Sequence, residues 1–292
     1  MKLGIISTAF AVMLMVLTAC DGNEADSPLT PVLRIGVLPD QKPEVLLQRY
    51  APLFEYLSAR LEIPYVLVPA KSYDEYLKQF IDGRIDLAYF GGLTYLKARR
   101  SAGADPLVMR DVDANFTSYY LVRTDSDATD LADLKGKKFS FGSRLSTSGH
   151  LMPRHFLTKR GMEPEAFFGE IRYSGAHDKT AYHIRDGHAD VGVANAQIIN
   201  SMLADGRISG KDIRVLGKTP PFPDYIWVTH RSMSRTVRQK ILDAFLDLSA
   251  ADKRHAQILG KLTAGMFIPA REKDFALLKA AAMRIGLLDT KP

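Results

Sequence analysis

Short apolar runs and helical periodicities alternate along this chain. Apolar runs at residues 33–38, 65–68 and 85–90 predict buried strands. Between them, apolar residues recur at helical spacing over 46–61 and 73–81, which predicts helices with one buried face. Strands that alternate with helices indicate an α/β fold with mostly parallel sheets.

Further elements follow along the chain, and the alternation begins again at the strand 138–141. Further strands are predicted at 118–122, 138–141, 189–194, 213–216 and 226–229, and further helices at 93–100, 151–159, 179–185, 236–248 and 274–285. The segment DGRIDLA at 82–88 is echoed by DGHADVG at 186–192. Turns from a helix through glycine into a strand occur in many folds. The similarity of these two segments nevertheless favours two similar lobes with a ligand cleft between them.

The first residues of the chain indicate export. Lys2 precedes an apolar run over 3–17, which is shorter than the ~20 residues of a membrane-spanning helix. The run ends in LTAC, so Cys20, the one cysteine of the chain, stands where a bacterial lipobox has its lipidated residue. An ordinary signal peptide with a chance cysteine is the alternative. Asp21 resembles the signal that retains some lipoproteins in the inner membrane, and the polar residues 23–31 fit a flexible linker.

Composition narrows the classes of function. The chain has 39 Lys and Arg against 33 Asp and Glu, and these charges are interspersed, so no basic cluster of the kind that binds nucleic acid is present. With Cys20 assigned to lipid, no cysteine remains for a disulfide, a thiolate metal site or a nucleophile. No histidine pair has a convincing metal-ligand spacing, so we expect neither a metal nor a cofactor.

These observations divide the chain into segments. Residues 1–19 are predicted to be a signal peptide, and residues 20–31 a lipidated cysteine with a flexible linker. The first lobe is predicted to comprise 32–119 and 226–292, and the second lobe 120–225. Because no feature indicates self-association, we expect a monomer.

The segment FSFGSRLSTSGH at 139–150 joins a predicted strand to a predicted helix through a loop rich in hydroxyl groups. The first N–H groups of a helix lack internal acceptors and lie at the positive end of its dipole. Together with the hydroxyls of Ser146, Thr147 and Ser148, they would bind a small tetrahedral oxyanion. The alternative is that one of these hydroxyls merely caps the helix.

Taken together, these features resemble the periplasmic solute-binding proteins of ABC transporters, which have the type II periplasmic-binding-protein fold. The lipobox and the turn DGRIDLAYFGG at 82–92 carry this resemblance. The segments STSG at 146–149, GAHD at 175–178 and PFPD at 221–224 are similar to the phosphate/phosphite/phosphonate-binding (PhnD-like) branch. The resemblance covers about residues 33–287 and implies two α/β lobes with the ligand in the interlobe cleft.

The resemblance also implies a ligand site without catalytic residues. The implied ligand-binding residues are Tyr73, Phe90, Phe116, Ser146, Thr147, Ser148, His177, Gln197 and Asp224. In this set, His177 donates to an anion oxygen, Tyr73 contributes a hydroxyl, and Asp224 faces the anion. Taken alone, Asp224 fits a turn residue and His177 a surface residue equally well.

Four positions bear on the choice of ligand. A buried carboxylate at Asp224 would accept a hydrogen bond from a protonated phosphorus oxyanion and repel unprotonated sulfate. Aminoalkylphosphonate binders carry a glutamate where Gln197 stands, so the neutral amide favours phosphate, phosphite or methylphosphonate over 2-aminoethylphosphonate. Phenylalanine at position 90 or 116 favours a ligand with an apolar corner.

The predicted function is an extracytoplasmic solute-binding lipoprotein on the periplasmic side of the inner membrane. It would capture a small phosphorus oxyanion for an ABC permease. One alternative is a ligand-sensing subunit for a membrane signalling protein that uses the same cleft. A second alternative is an enzyme of the same fold, for which Lys179 near His177 is the one nearby candidate, but an export signal argues against it. We therefore expect no enzymatic activity and no nucleic-acid partner.

Overall fold

A computed structural model describes residues 32–289 of the chain. Within this range the strands are Leu33–Val37 (β1), Tyr65–Leu67 (β2), Leu87–Phe90 (β3), Asp105–Arg110 (β4), Ser118–Arg123 (β5), Lys138–Phe141 (β6), Glu170–Tyr173 (β7), Val191–Asn195 (β8), Ile213–Lys218 (β9), Ile226–Thr229 (β10) and Phe267–Pro269 (β11). The α-helices are Pro43–Leu61 (α1), Tyr73–Ile81 (α2), Gly92–Ala102 (α3), Met152–Lys159 (α4), Pro164–Phe167 (α5), His177–Arg185 (α6), Ala196–Ala204 (α7), Arg235–Leu246 (α8), Lys253–Lys261 (α9) and Ala276–Arg284 (α10).

The first lobe is built on a six-stranded sheet with the order β2-β1-β3-β10-β4-β11. Strand β1 pairs in parallel with β2 and β3, whereas β10 runs antiparallel to both β3 and β4. All residues of β3 are buried, as expected for a strand that is covered on both faces. The carboxyl ends of β1 and β3 therefore lie at the same edge of this sheet.

The second lobe is built on a five-stranded sheet with the order β7-β6-β8-β5-β9. Strand β6 pairs in parallel with β7 and β8, and β5 runs antiparallel to β8 and β9. Strand β8 is buried along its whole length, and its side chains contribute to two separate hydrophobic clusters. Its alternate residues point to opposite faces, so one strand supports the core on each side of the sheet.

Two adjacent chain segments connect the lobes. The amide of Phe116 donates to the carbonyl of Phe222 at 2.8 Å, and the reverse hydrogen bond is 2.9 Å long. Next to this bridge, the amide of Ser118 donates to Thr219 Oγ1 at 3.0 Å. The segments that join the two sheets are therefore themselves paired antiparallel at the base of the cleft.

An aromatic cluster supports the cleft from the first lobe. The ring of Tyr89 lies 4.9 Å from that of Trp227 and 5.4 Å from that of Tyr50. It also stacks on the ring of Tyr225 at 5.2 Å, so a residue just before β10 is fixed against the main hydrophobic core. Aromatic contacts of this kind contribute beyond the apolar area that they bury.

The two sheets confirm the predicted two-lobed α/β fold. The prediction of mostly parallel sheets is wrong for the strands that follow a crossing between the lobes and for β11, which runs antiparallel to β4. Both β5 and β10 enter their sheet from the opposite lobe and run antiparallel to their neighbours. The predicted strands at 138–141 and 226–229 and the predicted helix at 73–81 match the observed bounds of β6, β10 and α2.

Candidate functional site

The hydroxyl-rich loop follows β6 and forms a π-helical turn over Thr147–Leu151 that leads directly into α4. All five residues of this turn are buried. The amide of Gly142 donates to the carbonyl of Gly149 at 2.8 Å. A Cβ on Gly149 would lie 2.9 Å from Ser146 Oγ and 3.2 Å from Gly142 Cα. The turn thus needs glycine at position 149 for steric reasons.

The three adjacent hydroxyls have three different environments. Ser146 Oγ accepts a hydrogen bond from the amide of Gly149 at 2.9 Å, so Ser146 caps the turn. Thr147 Oγ1 accepts from the amide of Leu93 at 2.9 Å and thereby links the second lobe to α3 of the first lobe. Ser148 Oγ is buried and has no partner of normal hydrogen-bond geometry among the described residues. The helix-cap interpretation therefore applies to Ser146, and Ser148 has a free hydroxyl.

Asp224 lies beside this free hydroxyl. Its Oδ1 accepts from the amide of Gly92 at 3.1 Å, whereas Oδ2 is buried without a partner within residues 32–289. Burial raises the pKa of Asp224 to about 7, although the Gly92 amide and the nearby hydroxyls of Ser148 and Thr147 favour its charged form. A Cβ on Gly91 would lie 3.4 Å from both Asp224 Oδ1 and Thr147 Oγ1, so the glycine leaves room at this point.

His177 begins α6 and is 1% exposed. Its Nδ1 accepts a hydrogen bond from the amide of Asn195 at 3.1 Å. Because an acceptor nitrogen carries no proton, the neutral ring has its proton on Nε2, which lies 3.4 Å from the hydroxyl of Tyr225. Burial lowers the pKa of His177 to about 3, so it acts as a neutral N–H donor at physiological pH.

Three polar residues of the site are not among the sequence-predicted set. The hydroxyl of Tyr225 donates to Asp40 Oδ2 at 2.9 Å and accepts from Asn195 Nδ2 at 3.0 Å. The carbonyl of Asp40 also accepts from the amide of His177 at 3.0 Å, which joins the two lobes directly. Asp40 follows β1 and Asn195 ends β8, so the rule that ligands bind at the carboxyl ends of strands would have identified both.

Tyr73 lies among these groups. It is the first residue of α2 and is 2% exposed. Burial raises its pKa well above the ordinary value, and the charges of Asp40 and Asp224 act in the same direction. The nearby Ser146 side chain acts in the opposite direction. The phenol of Tyr73 is therefore close to the turn that carries Ser146, Thr147 and Ser148 (the hydroxyl turn) and within electrostatic reach of both carboxylates.

Phe90, Phe116 and Gln197 lie outside this cluster. The ring of Phe90 contacts those of Tyr76 and Phe80 at 5.0 and 5.1 Å within the core of the first lobe. The ring of Phe116 packs at 5.6 Å from that of Tyr225, below the cluster. Gln197 is half-buried on α7, where it borders an open groove with Phe116, and makes no hydrogen bond to Asp224 or His177.

The polar cluster combines acidic groups with neutral donors. Within the described range, no lysine or arginine forms a hydrogen bond with Asp40, Asp224, Ser148 or His177. The guanidinium of Arg110 lies 5.8 Å from the ring of Tyr225, but it is bound to Asp113 and to the carbonyl of Leu262. No group of three or more His, Cys, Asp or Glu in residues 32–289 is arranged to hold a metal ion.

Comparison with known proteins identifies the family. The family described as "ABC transporter, phosphonate, periplasmic substrate-binding protein" matches residues 35–275. The chain belongs to this family. Its members are substrate-binding proteins of ABC transporters and not enzymes, and they act in the periplasm, as the sequence predicts. Within residues 32–289, no helix is long and apolar enough to span a membrane.

Individual members show how similar the chain is to proteins of the family. It is 30% identical over 267 residues to the probable ABC transporter phosphite binding protein PhnD1 of Prochlorococcus marinus, covering 87% of this chain and 90% of that protein. It is 26% identical to the phosphate-import protein PhnD of Mycolicibacterium smegmatis, covering 82% and 80%. The structure of PhnD1 with methylphosphonate has a TM-score of 0.83 and 28% identity, covering 88% of this chain and 99% of that one.

Proposed function

We propose that this periplasmic binding protein captures a small, proton-bearing phosphorus oxyanion, with phosphite or methylphosphonate as the preferred ligand, and delivers it to an ABC permease. The observation that carries the proposal is the pair of free groups Ser148 Oγ and Asp224 Oδ2, which are both buried and lie next to the first turn of a helix. Buried polar groups without well-formed hydrogen bonds are costly, so a ligand that bonds to both groups is favoured.

The polarity of the two groups defines the chemistry of the ligand. Ser148 and the first amides of the turn donate hydrogen bonds, as an oxyanion requires. Asp224 accepts when it is ionised, so the ligand must present a P–OH proton or Asp224 must itself be protonated. Phosphite can carry or take up this proton near neutral pH, whereas sulfate stays unprotonated and binds only while Asp224 itself carries the proton. Discrimination against sulfate therefore arises from one carboxylate.

The relatives support this class of ligand. The names of the proteins of Prochlorococcus marinus and Mycolicibacterium smegmatis specify phosphite and phosphate, and one solved relative holds methylphosphonate. We therefore retain phosphate as a further ligand of the same site. These names describe transport proteins, so they do not favour the alternative of a ligand-sensing subunit.

The proposal includes a lipid anchor. Cys20 lies outside the described residues, and the support for its lipidation is the LTAC sequence at the end of an apolar run. Acyl chains on this cysteine would hold the two lobes at the periplasmic face of the inner membrane, close to the permease. Residues 21–31 would then serve as the linker.

Calorimetry of a purified form that begins at Asp21 tests the function. Phosphite, methylphosphonate, phosphate, 2-aminoethylphosphonate and sulfate are titrated at one pH and one ionic strength. We expect dissociation constants below the millimolar range for phosphite and methylphosphonate and no measurable heat for sulfate. Failure of all the phosphorus anions to bind would reject the proposal, and tightest binding of sulfate would reject the role of Asp224.

A further inference from the structure

Asp40 provides a second buried carboxylate at the proposed ligand site. The residue is 5% exposed, and its Oδ2 accepts from the hydroxyl of Tyr225 at 2.9 Å. Its Oδ1 has no hydrogen-bonding partner among the described residues. A buried acceptor of this kind is costly without a donor, so Oδ1 is available to a group that brings a hydrogen.

Asp40 and Asp224 share the same neighbouring side chains. The phenols of Tyr73 and Tyr225 are each within electrostatic reach of both carboxylates. The main-chain carbonyl of Asp40 contacts the amide of His177, and the side chain of His177 points to Tyr225. The two carboxylates therefore belong to one polar cluster, and within residues 32–289 no lysine or arginine forms a hydrogen bond with either of them.

We propose that Asp40 is a second specificity-determining residue, whose free carboxylate oxygen shares a proton with an oxygen of the bound phosphorus oxyanion. This inference rests on the proposed function. Two acceptor oxygens repel each other unless a proton lies between them, so each contact between a carboxylate and the anion holds one proton. A complex with contacts to both Asp40 and Asp224 therefore contains two shared protons, whichever partner carried them before binding.

The surroundings of Asp40 are compatible with such a proton. The titratable or charged groups that face it are Arg49, Arg110, Asp178, Tyr50, Tyr73, Tyr89, Tyr225 and, through Tyr225, His177. Burial and the charge of Asp178 raise the pKa of Asp40 to about 6, while the two guanidinium groups and the Tyr225 hydroxyl act against this rise. At pH 8 both acids of the cluster are mainly ionised, so the shared protons must be taken up from solvent when the phosphite dianion binds.

Proton uptake on binding tests the inference. Calorimetric titrations with inorganic phosphite at pH 8, in buffers of different ionisation enthalpy, give the number of protons taken up per ligand bound. We expect about two protons for the wild type and about one fewer for Asp40→Asn, because the amide supplies its own N–H to the anion. Asp224→Asn should also take up about one proton fewer.

A matched variant distinguishes a direct contact of Asp40 with the ligand from an indirect role in which Asp40 only positions Tyr225. Tyr225→Phe removes the hydroxyl that holds Asp40 but retains the carboxylate, so its proton uptake should equal that of the wild type even if its affinity falls. If Asp40 only positions Tyr225, then Asp40→Asn and Tyr225→Phe will lose affinity alike and the uptake of both will be unchanged, which overturns the inference. Circular dichroism checks the fold, and Asp40→Ser, which also supplies a donor, replaces Asp40→Asn if that variant does not fold.

Two further results would distinguish a failure of the proposed function from a failure of the proposed role of Asp40. If no phosphorus anion binds to the wild type, the proposed function itself fails. If 2-aminoethylphosphonate binds more tightly than phosphite and loses this advantage in Asp40→Asn, the carboxylate pairs with an ammonium group, and the shared-proton role of Asp40 is overturned while oxyanion binding stands.

Discussion

Replacing Asp224 with asparagine should remove the discrimination against sulfate. The affinity for sulfate should then no longer depend on the ionisation of residue 224. Because the pKa of Asp224 is about 7, about nine tenths of the carboxyl groups are protonated at pH 6 and about one tenth at pH 8. Sulfate requires the protonated form, so its affinity for the wild type should fall about tenfold between these pH values from Asp224 alone. In Asp224→Asn, the amide donates at every pH, and this tenfold factor should disappear.

The variant should also change affinity at a fixed pH. At pH 8, an unprotonated sulfate oxygen beside ionised Asp224 leaves a buried charge unpaired, which costs about 1–3 kcal/mol or more. Because protonating Asp224 at pH 8 costs about one pKa unit, sulfate should bind to Asp224→Asn about tenfold more tightly than to the wild type. Competition of sulfate with phosphite in calorimetry measures this at pH 6 and pH 8. Equal sulfate affinities in both proteins, or a wild-type sulfate affinity that does not change with pH, would refute the argument.

Four other changes test further parts of the account. Ser148→Ala should weaken phosphite binding about tenfold or more, since it removes a donor to a charged ligand; unchanged affinity in calorimetry would exclude the hydroxyl from the site. Gly149→Ala should weaken phosphite binding at least tenfold, because the new Cβ would lie 2.9 Å from Ser146 Oγ and 3.0 Å from His177 Cε1. The matched control is Gly260→Ala, which has open space around the new Cβ and should bind phosphite as the wild type does. Burial lowers the pKa of His150 to about 4. Below pH 6.5 the unfolded chain therefore binds a proton at this residue that the folded chain does not bind. The free energy of unfolding should decrease as the pH falls from 6.5 towards 4. Denaturant unfolding should show a loss of up to about 3 kcal/mol from this residue, absent in His150→Gln; an equal loss in both proteins would contradict the assignment. Cys20→Ser should move the protein from the membrane fraction to the soluble periplasmic fraction, and a variant that still sediments with membranes would argue against lipidation.

Local sequence patterns predicted much of the fold because the signals were strong at the elements that line the cleft. Helix α2 begins at Tyr73 as predicted, where the preceding serine caps it and apolar residues recur at helical spacing. Strand β4, by contrast, contains Pro106 and ends in a buried arginine, so its sequence lacks a simple apolar run. Whether a strand runs parallel or antiparallel depends on how the chain crosses between the lobes, which no local pattern records.

The site was predictable where one short segment contains it and less so where it is assembled from distant segments. The hydroxyl turn at Ser146–Ser148 was evident because three hydroxyls stand next to each other at a helix start. Asp40, Asn195 and Tyr225 are far apart in the chain, and only the fold brings them into one hydrogen-bonded group. The fold also directs the ring of Phe90 into the core, since alternate residues of β3 point to opposite faces.

The central claim is that a compact phosphorus oxyanion lies between the hydroxyl turn and Asp224. A crystal structure of the protein grown with phosphite tests this most directly. The account predicts a phosphite with one oxygen within hydrogen-bond distance of Ser148 Oγ and another within hydrogen-bond distance of an Asp224 carboxylate oxygen. Phosphite bound elsewhere, with Ser148 and Asp224 in contact with water alone, would contradict it.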